Sequence, residues 1–202
     1  MLTHTTAASR RRSARTAGIA LAVLLLAACG PFKGGANDEG AKGSKASQAP
    51  EKPLRLGEPS TEPQEIGRYD TTGKFTITPQ RVVTGKASDL DELKDEKYKG
   101  WLPVWVYVNA KLIGGDSPVR GPMIMSNVGV RTADDVPVTR LLTMMRDLSS
   151  KPADCKDDIE AEWKTGDEHT HCALYLVPEG KPAAFVTYSQ GYYKEPLKWT
   201  VN

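Results

Sequence analysis

The run Trp101 to Ile113 limits the possible folds more than any other part of the chain. Val104, Val106, Val108 and Ala110 alternate with Trp105, Tyr107, Asn109 and Lys111. β-Branched and aromatic residues dominate, and the period is two, so the run predicts a strand with an apolar face and a mixed one. Gly114-Gly115-Asp116-Ser117-Pro118 ends it with turn-forming residues. A strand this long and apolar needs partners on both edges and a second layer over its valine face.

Those partners are sought elsewhere in the chain. Phe75-Thr76-Ile77-Thr78 alternates and is followed by Pro79 and Val82-Val83, predicting a strand kinked or bulged at the proline, as at a sheet edge. Met123-Ile124-Met125 and Asn127 to Arg131 read as further strand, turning at Ala133-Asp134-Asp135. Cys172 to Val177 is a strand, Pro178 to Pro182 a turn, and Ala184 to Tyr188 the expected hairpin partner. Leu197 to Val201 reads as a last edge strand. Ser88 to Lys97 departs from this pattern. Asp89 stands three residues before Glu92, as in a capping box, with Leu90 and Leu93 on one face, predicting one short helical segment. Val138 to Leu148 fits helical spacing and strand alternation; a strand running into a helical turn is expected. Many short strands with Gly/Pro turns and little helix predict a mostly β fold, an antiparallel β-sandwich.

The N-terminus reads as a separate region. Arg10-Arg11-Arg12-Ser13-Ala14-Arg15 is basic, Ala17 to Ala28 is apolar, and Leu26-Ala27-Ala28-Cys29 is a small-residue stretch ending in cysteine. About 12 apolar residues make only ~18 Å of helix, too short to span a bilayer. The segment resembles bacterial lipoprotein signal peptides. The resemblance implies that residues 1–28 are removed, that Cys29 becomes the diacylated N-terminus, and that the product is lipid-anchored at the extracytoplasmic face of the cell membrane. Ser9-Arg10-Arg11-Arg12 has a twin-arginine look, but Ser13 and Ala14 stand where a hydrophobic pair usually follows, which favours the general export route. From Gly30 to about Glu65 the chain is rich in Gly, Ala, Ser, Lys, Pro and Glu and predicts a flexible tether with a reach of about 30–35 Å. The expected organisation is therefore 1–28 signal peptide, 29–66 lipidated N-terminus and tether, and 67–202 folded domain.

Loss of residues 1–28 removes Arg10, Arg11, Arg12 and Arg15 and no acid. Lys+Arg falls from 27 to 23 against 25 Asp+Glu, so the formal charge moves from +2 to −2. No basic excess remains to hold nucleic acid. With Cys29 assigned to lipid, Cys155 and Cys172 form an even pair in an oxidising compartment, and a disulfide is expected. The rival is a pair of free thiols in a metal site.

Phe75-Thr-Ile-Thr, Leu102 to Asn109, Cys172 to Pro178 and Glu195 to Trp199 together resemble the Ig-like, telokin-like extracytoplasmic domains of actinobacterial lipoproteins. The resemblance covers most of 67–202 and implies an Ig-like sandwich. It carries over no catalytic residue.

Few constellations carry chemistry. His169-Thr170-His171 puts two imidazoles on one face of an extended segment. With the thioethers of Met123, Met125, Met144 and Met145 they are candidate copper or zinc ligands. The alternative is a polar loop beside the disulfide, with the methionines as core filler. Asp154, Asp157, Asp158, Glu160 and Glu162 form an acidic cluster without calcium-loop spacing, read as a solvated face; paired carboxylates for glycoside hydrolysis are the rival. Tyr192, Tyr193, Trp199, Trp101 and Trp105 either stack on glycan rings or pack in the core. Thr187 to Gly191 is not a nucleophile elbow, because Thr stands where Gly is required. The expectation is a non-enzymatic interaction or ligand-binding module without a cofactor. Its partners would be the membrane, through the lipid on Cys29, and an unidentified protein or small molecule. A metal-binding lipoprotein, or a glycan-binding or hydrolytic protein, is the alternative.

Overall fold

The computed structural model describes residues 52–142, 147–156 and 160–201. In chain order its strands are β1 (Leu54–Arg55), β2 (Gln64–Arg68), β3 (Thr71–Thr84), β4 (Trp101–Gly115), β5 (Val119–Arg120), β6 (Val128–Thr132), β7 (Thr139–Arg140), β8 (Glu162–Trp163), β9 (Glu168–Pro178), β10 (Ala183–Tyr188) and β11 (Leu197–Thr200). Short 3-10 turns span Ala87–Leu93, Glu96–Tyr98 and Ile124–Ser126. Two main sheets form, with orders β2-β3-β4-β9-β7 and β1-β11-β10-β6, and β5 pairs with β8. The pairings are antiparallel except β1 with β11. The fold is a mostly β, antiparallel sandwich.

The alternation in β4 sorts its side chains as the sequence predicts. Val104, Val106, Val108, Ala110 and Leu112 join Phe75, Ile77, Val130, Val186 and Trp199 in the core between the sheets. Trp105 and Tyr107 point to the other face, and they too are buried. They belong to a second cluster with Leu90, Leu148, Leu174, Leu176 and the two cysteines. The turn Ala87–Leu93 and the segment around Leu148 to Cys155 supply the cover. Beyond it, Asn109 is half-buried and Lys111 is exposed.

The helical segment has a different cap from the one expected. The Asp89 carboxylate accepts from the backbone N–H of Lys86 at 2.8 Å, so Asp89 sits inside the turn rather than at its start. Glu92 instead accepts from the backbone N–H of Ser149 at 2.6 Å and from its hydroxyl at 3.0 Å, tying the turn to the covering segment. Leu90 is buried and Leu93 packs beside it.

β3 continues through Pro79 with a register shift between Pro79 and Arg81, the expected bulge. Gly57 and Ser60 donate backbone N–H groups to the carbonyls of Pro79 and Ile77, each at 2.8 Å, where β2 no longer covers that edge. Gly115, at φ 88°, closes the far end; a Cβ there would lie 2.6 Å from the Thr72 carbonyl. Only Gly meets both demands.

Four further expectations are corrected. The fold begins before Gly67. Leu54 pairs with Trp199, β2 pairs with β3, and Gln64 and Ile66 are buried, so residues from Leu54 belong to the domain rather than to the 29–66 tether. β9 and β10 are not a hairpin. β9 lies between β4 and β7, β10 between β6 and β11, and the Glu179 to Pro182 turn crosses from one sheet to the other. Each strand has an apolar face to bury, and placing them in opposite layers lets those faces meet. β11 is not an edge strand, because β1 covers its outer side. Met123-Ile124-Met125 enters a 3-10 turn rather than a strand, burying Ile124 and Met125 and leaving Met123 exposed. Of the ambiguous 138–148 stretch, Thr139–Arg140 is strand; residues 143–146, with Met144 and Met145, lie outside the described residues.

The expected disulfide joins Cys155 to Cys172 across a separation of 17 residues. It ties the covering segment to β9 beside Tyr107, which pairs with Cys172 in the sheet register. Replacing both cysteines by serine is expected to destabilise the domain by about 3 kcal/mol, the loop-entropy value for this length. Urea unfolding of the two proteins checks it; equal midpoints would mean that the bridge adds nothing.

Candidate functional site

Sequence reasoning put three groups forward: the histidines, the acidic cluster and the aromatics. The structure places each differently.

His169 and His171 lie on β9, not in a loop. Strand alternation turns both to the same side as Ala173, Tyr175 and Val177. Trp163 of β8 packs against both imidazoles, with ring centroids 4.4 Å from His169 and 5.6 Å from His171; the second pair is stacked at 10°. Phe75 meets the indole edge-on at 5.5 Å. His171 is buried and His169 is exposed. The His171 ring therefore stacks face to face on the indole, and the His169 ring packs against it at a tilt of 55°. Met125 is buried in the inter-sheet core, where its carbonyl accepts from Arg140 at 2.9 Å, whereas Met123 is exposed. Among the described residues no group of three or more His, Cys, Asp or Glu side chains gathers as a metal site would require.

The acidic cluster is divided among local partners. Asp154 pairs with Arg81 and accepts from the Tyr107 hydroxyl at 2.9 Å. Arg81 also lies over the Tyr107 ring, 3.7 Å from its centroid. Burial first, and the hydrogen bond to Asp154 second, push the Tyr107 phenol up to about 12. The Tyr107 hydrogen bond is the main influence holding the Asp154 carboxyl below the usual carboxylate range. Glu160 pairs with Arg68 at 3.6 Å. Glu162 is on β8, and Asp157 and Asp158 lie outside the described residues.

The aromatics divide by burial. Trp199 is fully buried, its indole N–H donating to the Glu58 carbonyl at 2.9 Å. Trp105 is buried under the outer cover and Trp101 is half-buried at its margin. These three are packing residues. Tyr192 and Tyr193 are 94% and 95% exposed, on the loop between β10 and β11. Their rings meet edge-to-face at 5.1 Å.

That loop borders a polar hollow that sequence reasoning missed. It is lined by Pro63, Gln64 and Glu65 where β2 begins, Asn127 before β6, Tyr188 at the end of β10, and Ser189, Gln190, Gly191 and Lys194 after it. Three carboxamides, from Gln64, Asn127 and Gln190, meet there although 126 positions separate the first from the last (190 − 64). Two of the lining side chains are set in the fold: Gln64 is 5% exposed and Tyr188 2%. Gln64 donates to the Glu62 carbonyl at 2.8 Å, Asn127 to the Tyr188 hydroxyl at 3.3 Å, and Gln190 to the Glu195 carbonyl at 3.0 Å. Burial raises the Tyr188 phenol above its ordinary value, so it carries its proton at neutral pH. No short-range sequence signal connects the three segments; sheet order does.

The Tyr107 arrangement gives a signed pH dependence. Its folded pKa of about 12 lies above the unfolded value near 10. The stability it contributes is therefore complete below pH ~10 and is lost as pH rises through ~12. In a phenolate absorbance titration, the difference between wild type and Tyr107→Phe should show one tyrosine titrating late. Asp154→Asn should move that step only part of the way down, since burial remains. A wild-type minus Tyr107→Phe difference centred near pH 10 would refute the assignment.

No family model and no curated sequence matches the chain. Among solved structures, the chain is similar to the secreted protein MPT63 of Mycobacterium tuberculosis, at 14% identity and a TM-score of 0.43, over 74% of this chain and 98% of that one. It is also similar to a Staphylococcus aureus protein described as a lipoprotein, at 9% identity and a TM-score of 0.41, over 69% of this chain and 94% of that one.

Proposed function

We propose that this chain is a lipid-anchored extracytoplasmic protein whose Ig-like β-sandwich is a non-enzymatic binding module. The observation that carries the reading is Leu26-Ala27-Ala28-Cys29 behind a short apolar run and an arginine-rich start. The Cys155–Cys172 disulfide supports an oxidising compartment. The side-chain placement supports the module over an enzyme. His169 and His171 on β9 pack against Trp163, His171 being buried, and Asp154 is held by Arg81 and Tyr107. A hydrolase needs an imidazole or a second carboxylate facing a nucleophile or substrate.

Two expected outcomes test this. Cys29→Ala should accumulate as unprocessed precursor or as released protein. A diacylated cysteine supplies two chains at about 0.8 kcal/mol per buried methylene, enough for stable attachment. Membrane fractionation with mass measurement checks it, and a variant that remains in the membrane at the processed mass would overturn the anchor. Separately, the wild-type melting temperature should not rise with stoichiometric copper or zinc salts. A ligand bound only to the folded state stabilises by mass action. A rise of several degrees that disappears in the His169→Ala, His171→Ala double variant would replace the binding module with a metal-handling protein.

A further inference from the structure

The exposed tyrosine pair and the polar hollow beside it are continuous in the chain. Tyr192 and Tyr193 stand between Gly191 and Lys194, both of which line the hollow. Tyr192 and Tyr193, 94% and 95% exposed, are the most exposed large hydrophobic side chains among the described residues, and they are adjacent. Their own neighbours are polar: Ser189, Gln190, Lys194 and Glu195. The core of a protein interface combines its aromatics with apolar surroundings and is depleted of charge. This site combines its aromatics with carboxamides and hydroxyls.

That chemistry matches a pyranose sugar. A pyranose presents a face of C–H groups, which stacks on an aromatic ring, and a rim of hydroxyls, each both donor and acceptor. Carboxamides and phenols are likewise both donor and acceptor. The hollow offers Gln64, Asn127, Gln190 and the Tyr188 hydroxyl, with Glu65 and Lys194 balancing one another in charge. Its volume, about 520 Å³, falls within the range of small-ligand sites. Gln64 and Tyr188 are nearly buried and already hydrogen-bonded, so part of the wall is ordered before any ligand arrives. Such preorganisation lowers the cost of binding. Tyr192 and Tyr193 sit on an eight-residue loop (Ser189 to Pro196) whose Gly191, at φ 101°, makes the turn that precedes them.

We infer that Tyr192 and Tyr193, with the carboxamide-lined hollow of Gln64, Asn127 and Gln190, form a binding site for a neutral oligosaccharide. The tyrosine faces stack on sugar rings, and the hollow takes hydroxyl or acetamido groups of the adjoining unit. This inference rests on the reading of the domain as a surface-displayed binding module, whose ligand class it supplies.

The test uses the full chain, affinity-purified from a whole-cell detergent lysate, on an immobilised array of neutral oligosaccharides built from glucose, mannose, galactose and N-acetylglucosamine. Wild type is expected to bind at least one of these. Tyr192→Ala/Tyr193→Ala should bind it about tenfold or more weakly, and Gln190→Ala should also weaken it. The tyrosine variant should keep the wild-type melting temperature, because neither ring is buried; Gln190→Ala, which gives up its hydrogen bond to the Glu195 carbonyl, should lower it only slightly. Binding to none of the probes would overturn the inference, as would binding that the tyrosine substitutions leave unchanged. Tyrosine-dependent binding to phosphatidylcholine vesicles without sugar binding would reassign the pair to the membrane and also overturn it. Membrane fractionation of the same cells keeps the two readings separate. An anchored protein that ignores sugars loses only the glycan site, whereas a sugar-binding protein that is not anchored loses only the lipoprotein assignment.

Discussion

The pairing of β4 with β9 is the constraint on which the rest depends. It runs in register from Trp101↔Pro178 to Lys111↔Glu168; β4 is central between β3 and β9, and β9 is met on its other side by β7 at Tyr175 and Leu176 and by backbone bonds from Leu141 to Leu174 and from Cys172 to Lys156. A central strand satisfies its backbone donors and acceptors on both sides, so it can be buried on both faces without leaving polar groups stranded. Each valine, leucine or aromatic side chain buried along these strands contributes roughly 1.5–3 kcal/mol. The inner face gathers the sandwich core. The outer face requires a second cover, which the 3-10 turn Ala87–Leu93 and the disulfide-tied segment around Cys155 supply. The Arg81–Tyr107–Asp154 group closes the same seam with a cation over the ring and a carboxylate on the hydroxyl.

Much of this was legible in the residues because strand alternation is a local property. The valine and aromatic faces of β4, the bulge after Pro79, the turn at Ala133 to Asp135 and the cysteine pair all follow from spacing or residue type. What was missed depends on partners far away. β9 and β10 are separated by a short turn that suits a hairpin, but the choice between pairing and crossing to the other layer is made by β4, β6, β7 and β11. Leu54 and Ile66 fall within the 29–66 stretch assigned to the tether; they belong to the fold because their strands pair with β11 and β3. Met123 to Met125 carries strand-like residues, yet the chain must turn there to enter β6.

The site was legible only in fragments. Alternation put His169 and His171 on one side of an extended segment, but it could not show that Trp163, six positions before His169, packs against both rings. The aromatics were visible as a group, whereas their division into buried Trp199 and Trp105 and exposed Tyr192 and Tyr193 is a matter of packing. The carboxamides of Gln64, Asn127 and Gln190 have no common motif. They meet because β2 in one sheet and the segments flanking β6 and β10 in the other come to the same end of the sandwich.

The management of the sheet edges also bears on how such a domain can bind. An open edge invites another chain to add as a strand. Here Gly57 and Ser60 occupy the carbonyls of Pro79 and Ile77 on β3, and the chain folds back on β6, where Val138 donates to Val130 and Thr132 to Val136. These contacts use the backbone groups that strand addition would need. Both faces of the five-stranded sheet are also buried over its central strands, one by the opposing sheet and one by the outer cover. Strand addition is thereby blocked at those stretches of β3 and β6, while the connecting loops present side chains without disturbing the strand ladders beneath them.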